Sequence, residues 1–219
     1  MSIAAQIKKY KDELPGDVDL VAVSKTKPNE AILEAYEAGQ RIFGENKIQE
    51  MTDKHEALPK DIEWHMIGHV QSNKVKFMAP YVSLVHAVHK LKLLKEINKR
   101  AKEEDRVINC LLQLKIAEED SKYGMEADEA LKILKSEAYQ EMNHVKIVGL
   151  MGMATLTEDE QKINTEFAYL KGKMDEFSKE FPALTTLSMG MSGDYQIAIK
   201  NGSTMLRIGS SIFGERNYN

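Results

Sequence analysis

The sequence predicts an α/β protein built as a single-domain (β/α)8 TIM-type barrel. Three observations carry that prediction. Apolar, β-branched runs alternate with segments of helical period from end to end. The runs number eight, and one further helix precedes the first of them. No low-complexity linker, repeat or Gly/Ser/Pro-rich stretch divides the 219 residues, so 1–219 reads as one unit. An open doubly wound sheet is the alternative arrangement of the same units.

Candidate strands lie at 19–24, 41–44, 62–67, 81–87, 107–115, 145–151, 185–189 and 205–209. The first is the run Leu20-Val21-Ala22-Val23, hydrophobic without alternation, as in a parallel strand buried on both faces. A helix follows it, entered through Pro28, carrying Ile32, Leu33 and Tyr36 on one face and closed at Gly39. After the fourth strand, Lys90, Lys92, Lys95, Lys99 and Arg100 alternate with Leu94, Ile97 and Ala101 at helical spacing, a solvated face backed by an apolar stripe. The fifth strand contains the only cysteine, Cys110, which reads as a small core residue. Ile163, Phe167, Leu170, Met174 and Phe177 step by four and three residues and define an amphipathic helix, with Thr157 and Glu160 as its capping box. A shorter helix follows Gly193 and ends before Gly202.

Composition narrows the function classes. A net charge of -4 and a pI near 5.9 give no global attraction to nucleic acid or anionic membrane. One cysteine permits no internal disulfide and fits a reducing compartment. The first residues lack a signal-peptide apolar core, and no apolar run reaches spanning length, so a cytoplasmic location is expected.

In such a barrel the chemistry gathers at the strand C-termini. Lys25 closes the first strand, an odd place for a cation, because burial disfavours its charged form and frees an amine to attack a carbonyl. The competing reading is a lysine that snorkels to solvent. Asn46 follows strand two, His65 and His69 flank the end of strand three, and Met151 and Met153 follow strand six. After strand seven, Met189-Gly190-Met191-Ser192-Gly193-Asp194 is a small-residue turn into a helix. Arg207-Ile208-Gly209-Ser210-Ser211 follows on strand eight. Together they read as an anion cradle of backbone amides and hydroxyls, since barrels place phosphate sites at these two loops. Taken singly, Ser192 reads as a helix cap and Gly209 as a tight turn. Strand one adjoins strand eight in a closed barrel, so the amine and the cradle share one mouth. An amine beside a phosphate cradle suggests pyridoxal 5′-phosphate (PLP). The pairs His65/His69 and His86/His89 have metal-like spacing but no adjoining carboxylate or cysteine, and metal ligation is not expected. Met151, Met153, Met189 and Met191 read either as soft packing at the mouth or as core.

The segments Val21 to Pro28, Phe43-Gly44-Glu45-Asn46, His65 to Lys74, Gly149-Leu150-Met151, Ser188 to Asp194 and Arg207-Ile208-Gly209 resemble the motifs of the pyridoxal phosphate homeostasis protein family, the proteins like the alanine racemase N-terminal domain. The match runs in order over nearly the whole chain. Val70 stands where Leu is more usual, and Ser210 where Thr is common.

The resemblance implies a PLP barrel of fold type III, with Lys25 forming the internal aldimine. It implies Ser192, Gly193, Gly209 and Ser210 at the phosphate, Arg207 at the pyridine nitrogen and Asn46 near the ring; Met153, read as soft packing at the mouth, joins them as an expected cofactor contact. It also implies a role in intracellular PLP (vitamin B6) and amino-acid homeostasis.

An arginine cannot give up its proton, so it leaves that nitrogen unprotonated and the ring a weak electron sink. Racemases of the same fold type complete their site with a second domain, for which the eight units leave no residues here. The expectation is a monomeric, essentially non-catalytic PLP carrier serving PLP-dependent apoenzymes. The alternatives are a single-domain amino-acid racemase and a class I aldolase-type barrel.

Overall fold

The computed structural model describes residues 1–117 and 124–214; positions 118–123 and 215–219 of the expected 1–219 unit lie outside the described residues. The chain opens with α1 (Ile3–Glu13), whose first turn is capped by Ser2 accepting from the Ala5 amide at 3.2 Å. Then follow β1 (Asp19–Val23), α2 (Asn29–Glu37), β2 (Ile42–Glu45), α3 (Ile48–Ala57), β3 (Glu63–Met66), a 3₁₀ turn at Ser72–Lys74, α4 (Val75–Met78) and β4 (Leu84–Val88). The second half runs α5 (Leu91–Glu103), β5 (Ile108–Gln113), α6 (Ala127–Lys135), α7 (Glu137–Gln140), β6 (Val145–Met151), α8 (Glu160–Ser178), β7 (Thr186–Ser188), α9 (Tyr195–Lys200), β8 (Met205–Ile208) and α10 (Ser210–Phe213).

The eight strands close into a parallel barrel in sequence order, with β8 paired back to β1 through Leu20 with Leu206 and Val21 with Arg207. The open-sheet alternative is thereby excluded. Among the described residues no helix is long and apolar enough to cross a membrane.

Most strand ends differ from the sequence reading by one or two residues, as where the fifth strand, expected over 107–115, runs Ile108–Gln113; two differences have a local cause. The fourth strand begins at Leu84, because the Tyr81 and Val82 amides bond back to Met78 and close α4. The expected Thr157/Glu160 capping box is absent. Asp159 caps α8, its carboxylate accepting from the Gln161 and Lys162 amides, while Thr157 bonds only the Asp159 amide.

Strand alternation divides the core into two layers. Leu20 and Ala22, Trp64 and Met66, Cys110 and Leu112, and Leu206 and Ile208 face outward under the helices. Onto them pack the stripes of α5 (Leu93, Leu94, Ile97, Ala101) and α8 (Ile163, Phe167, Leu170, Met174, Phe177). Each buried large side chain contributes about 1.5–3 kcal/mol to the closed barrel. Val21, Leu84, Ala87, Leu111, Met151 and Met205 fill the lumen. Irregular register between Val85 and Val88 breaks the alternation on β4, so His86 and Ala87 in succession face inward. The lumen is thus plugged by apolar side chains, and its C-terminal end is left for polar ones.

Candidate functional site

At the C-terminal ends of the strands the structure opens a cavity of about 640 Å³, within the range of small-ligand sites. Its lining brings together Lys25, Asn46, Met153, Ser192, Gly193, Arg207, Gly209 and Ser210. Lys27, His69, Gln113 and Met191 complete its polar and soft rim. Of the four methionines read as mouth or core, Met153 and Met191 line the cavity, whereas Met151 and Met189 are buried in the core.

Lys25 is half-buried, two residues beyond the end of β1. The backbone on either side of it is clamped. Lys54, on α3 and itself buried, sends its ammonium to three acceptors: the Ser24 carbonyl at 2.8 Å, Glu45 Oε1 at 2.8 Å and Glu50 Oε1 at 2.6 Å. The Ser24 hydroxyl donates to Glu45 Oε1 at 2.6 Å, and the Thr26 amide donates to Glu50 Oε1 at 2.6 Å. Thr26 takes a φ of 64°, which a β-branched residue accepts only when its surroundings impose it. Burial raises the Glu45 carboxyl above the ordinary range, although the Lys54 charge and bond and the Ser24 bond oppose the shift. Its Oε2 has no hydrogen-bond partner.

The anion cradle is built from two short turns. Between β7 and α9 the Met191 amide donates to Asp194 Oδ1 at 2.5 Å and the Asp194 amide returns to the Met191 carbonyl at 3.1 Å. Asp194, not Ser192, therefore occupies the cap position of α9. That leaves the Ser192 and Gly193 amides, and those of Ser210 and Ser211 after β8, without hydrogen bonds to other described residues. A Cβ built on Gly193 would meet no heavy atom within 4 Å, so the space above it belongs to the cavity. Gly190 allows the approach: its φ is +98°, and a Cβ there would lie 2.6 Å from the Ala198 side chain. Gly209 runs so close to β1 that its Cβ would stand 3.2 Å from the Val23 carbonyl oxygen. Lys27 ties the same seam shut by donating to the Phe213 and Gly214 carbonyls at 2.9 and 3.0 Å.

Arg207 projects from β8 into the lumen and is buried. It donates from Nη1 to Ser188 Oγ at 2.5 Å and from Nη2 to the Gly152 carbonyl at 3.1 Å. Burial lowers its pKa to about 10, against the opposing pull of Asp194, so it stays a cation at neutral pH. The histidine pairs differ from those suggested by sequence spacing. His65 pairs with His86 across β3 and β4 (ring centroids 5.2 Å apart), and His69 pairs with His89 (5.1 Å). Parallel register, with His65 opposite Leu84, sets these partners. Among the described residues no three His, Cys, Asp or Glu side chains gather in a way that could hold a metal ion. Cys110 is fully buried, and that burial pushes its thiol far above the ordinary range.

The donor set has the chemistry of one kind of ligand. It offers a primary amine, a concave run of unpaired amides and hydroxyls for a dianion, and a fixed guanidinium for a ring acceptor. An aromatic aldehyde phosphate such as PLP matches all three, so the residues fit the group. Glu45, Lys54, His86 and Ser188 were not identified as site residues from sequence. Glu45 and Lys54 lie nine residues apart on different elements, and only the fold brings them together under Lys25.

The family profile described as alanine racemase, N-terminal domain, matches residues 1–217. The pyridoxal phosphate homeostasis protein of Vibrio alginolyticus is 41% identical over 209 residues, covering 93% of this chain and 89% of its own. PipY of Synechococcus elongatus PCC7942, solved with PLP bound, superposes with a TM-score of 0.88 at 34% identity, over 97% of this chain and 100% of its own. An alanine racemase of Clostridium difficile 630 shares the fold alone, with a TM-score of 0.77 at 14% identity, over 100% of this chain and 60% of its own.

Proposed function

This chain belongs to the alanine racemase N-terminal-domain family, alongside the pyridoxal phosphate homeostasis proteins, and from that premise we propose that it binds PLP reversibly and serves intracellular PLP (vitamin B6) and amino-acid homeostasis. PLP supplies an aldehyde that condenses with primary amines. In this reading Lys25 offers the amine. Ser192, Gly193, Gly209 and Ser210 hold the phosphate, Arg207 faces the pyridine nitrogen, and Asn46 and Met153 flank the ring. The observation that carries the reading is the convergence of Lys25, the unpaired amides and Arg207 on one cavity.

Arg207 also bears on turnover. A guanidinium that keeps its proton at neutral pH can only donate, and a ring nitrogen that accepts is left uncharged. Electron withdrawal from the cofactor's reactive carbon is then weak, which supports holding and delivery over catalysis. The protein would act in the cytoplasm as a monomer, passing PLP to apoenzymes that use it.

Absorption spectroscopy tests the attachment. Wild-type protein mixed with PLP should develop a near-visible band that Lys25→Ala loses, while circular dichroism shows the variant folded. An identical band in both proteins would remove Lys25 from its role. Turnover is tested separately: sustained interconversion of alanine or serine enantiomers by the purified protein would replace the carrier reading with a racemase.

A further inference from the structure

Behind Arg207 the lumen holds a chain of polar side chains. Arg207 Nη1 lies 2.5 Å from Ser188 Oγ, Ser188 Oγ lies 3.0 Å from His86 Nδ1, and His86 Nε2 lies 3.1 Å from His65 Nδ1. All four side chains are buried, and the chain passes from β8 and β7 to β4 and β3. The surrounding lumen is apolar, formed by Val21, Leu84, Leu111, Met151 and Met205.

The guanidinium fixes the direction of every bond. Arginine has only donors, so Ser188 Oγ must accept from it. The single hydroxyl proton of Ser188 then goes to His86 Nδ1, which must be bare. His86 therefore carries its proton on Nε2 and donates it to His65 Nδ1, and His65 in turn carries its proton on Nε2. The opposite polarity, with His86 Nδ1 donating, would leave the Ser188 hydroxyl proton without an acceptor among the described residues. A buried unpaired donor of that kind is costly.

We propose that Ser188, His86 and His65 form a neutral, one-directional hydrogen-bond chain that positions the Arg207 guanidinium for the ring of the bound cofactor. The claim about the cofactor rests on the PLP reading; the claim about the chain does not. Ser188 and the Gly152 carbonyl hold two different nitrogens of Arg207, and two anchors fix a plane where one leaves it free to turn. His86 supplies the acceptor that keeps Ser188 oriented toward the arginine, and His65 does the same for His86. The chain stays neutral because His86 faces Arg207 at one end and His65 at the other. A proton on it would be a second buried cation beside the first, on which Asp194 is the one anion acting among the described residues. These are positioning residues, not catalytic ones.

The test uses the full chain without cofactor. Long-range ¹H–¹⁵N spectra should show both His65 and His86 as neutral Nε2–H tautomers at pH 6. The Arg207 Nη resonances should be resolved, as for a guanidinium whose rotation is blocked. In Ser188→Ala the Nη resonances should average, and in Ser188→Thr, which restores the hydroxyl, they should be resolved again. An Nδ1–H tautomer or an imidazolium at either ring would overturn the proposal without recourse to any variant. So would resolved Arg207 signals in a folded Ser188→Ala protein. A second arm reads PLP affinity. Ser188→Ala should weaken binding about tenfold, the scale of one lost hydrogen bond to a charged group, and Ser188→Thr should recover it. If wild type failed to bind PLP, the functional reading would fall and the cofactor-free spectra would still decide the chain. If wild type and Ser188→Ala bound PLP equally, the chain's positioning role would fall and the functional reading would stand.

Discussion

Lys25 was conspicuous in sequence because a cation at the end of a hydrophobic strand conflicts with its surroundings. The buried histidines were not, because their meaning lies in which atoms they meet. His65 and His86 are twenty-one residues apart and look like members of two separate short-range pairs until β3 and β4 are set side by side. Burial pushes His65 down to about 3, and burial, His65 and Arg207 hold His86 well below its ordinary value. These depressed values make stability depend on pH. Above the unfolded value of 6.5 neither state is protonated and the contribution is complete. As pH falls below it, the unfolded chain takes up protons that the native lumen refuses, so stability declines until the folded value near 3 is reached. Each ring contributes a slope of about 1.4 kcal/mol per pH unit within that window. Burial also lowers His55 and His89, so urea unfolding between pH 7 and pH 5 should show a decline that becomes shallower, without vanishing, in His86→Asn. An unchanged slope in that variant would mean that His86 is not held neutral.

At the scale of elements, strand positions were legible because continuous apolar runs have few other uses, and helices because their stripes have a period. What escaped was decided by single side chains. Asp159 caps α8 in place of the Thr157/Glu160 pair, since a carboxylate at the cap position can take two amides at once. The join between β2 and α3 hides the clamp on Lys25 for the same reason. Lys54→Met would strand the Glu45 charge with Ser24 as its one remaining partner among the described residues and cost about 3–5 kcal/mol, the range for breaking a buried pair. The measurement is a denaturant titration, and a loss under 1 kcal/mol would show the cluster to be loosely coupled to the fold. The β6–β7 contact is equally exacting. A Cβ on Gly149 would stand 1.7 Å from the Thr186 carbonyl oxygen, too close for any rotamer change to relieve. Gly149→Ala should thus cost about 3 kcal/mol or more, at the upper end of overpacking, read as a fall in the unfolding midpoint.

Over the whole molecule, barrel closure converts a scattered sequence pattern into a site. Lys25 and Arg207 are 182 positions apart, yet β1 pairs with β8 and both residues line one cavity. The count of strands and the turns after the last two made the phosphate side of that cavity readable in advance. The lumen chain behind Arg207 was not readable, because its order depends on barrel diameter and register. Lys25 is the proposed point of attachment for PLP. Reductive trapping with borohydride after PLP addition, followed by peptide mass mapping, tests it most directly. One label per chain is expected on the peptide carrying Lys25, abolished by excess inorganic phosphate competing at the cradle. A label carried mainly by another lysine, or spread over the surface lysines without saturation, would contradict it.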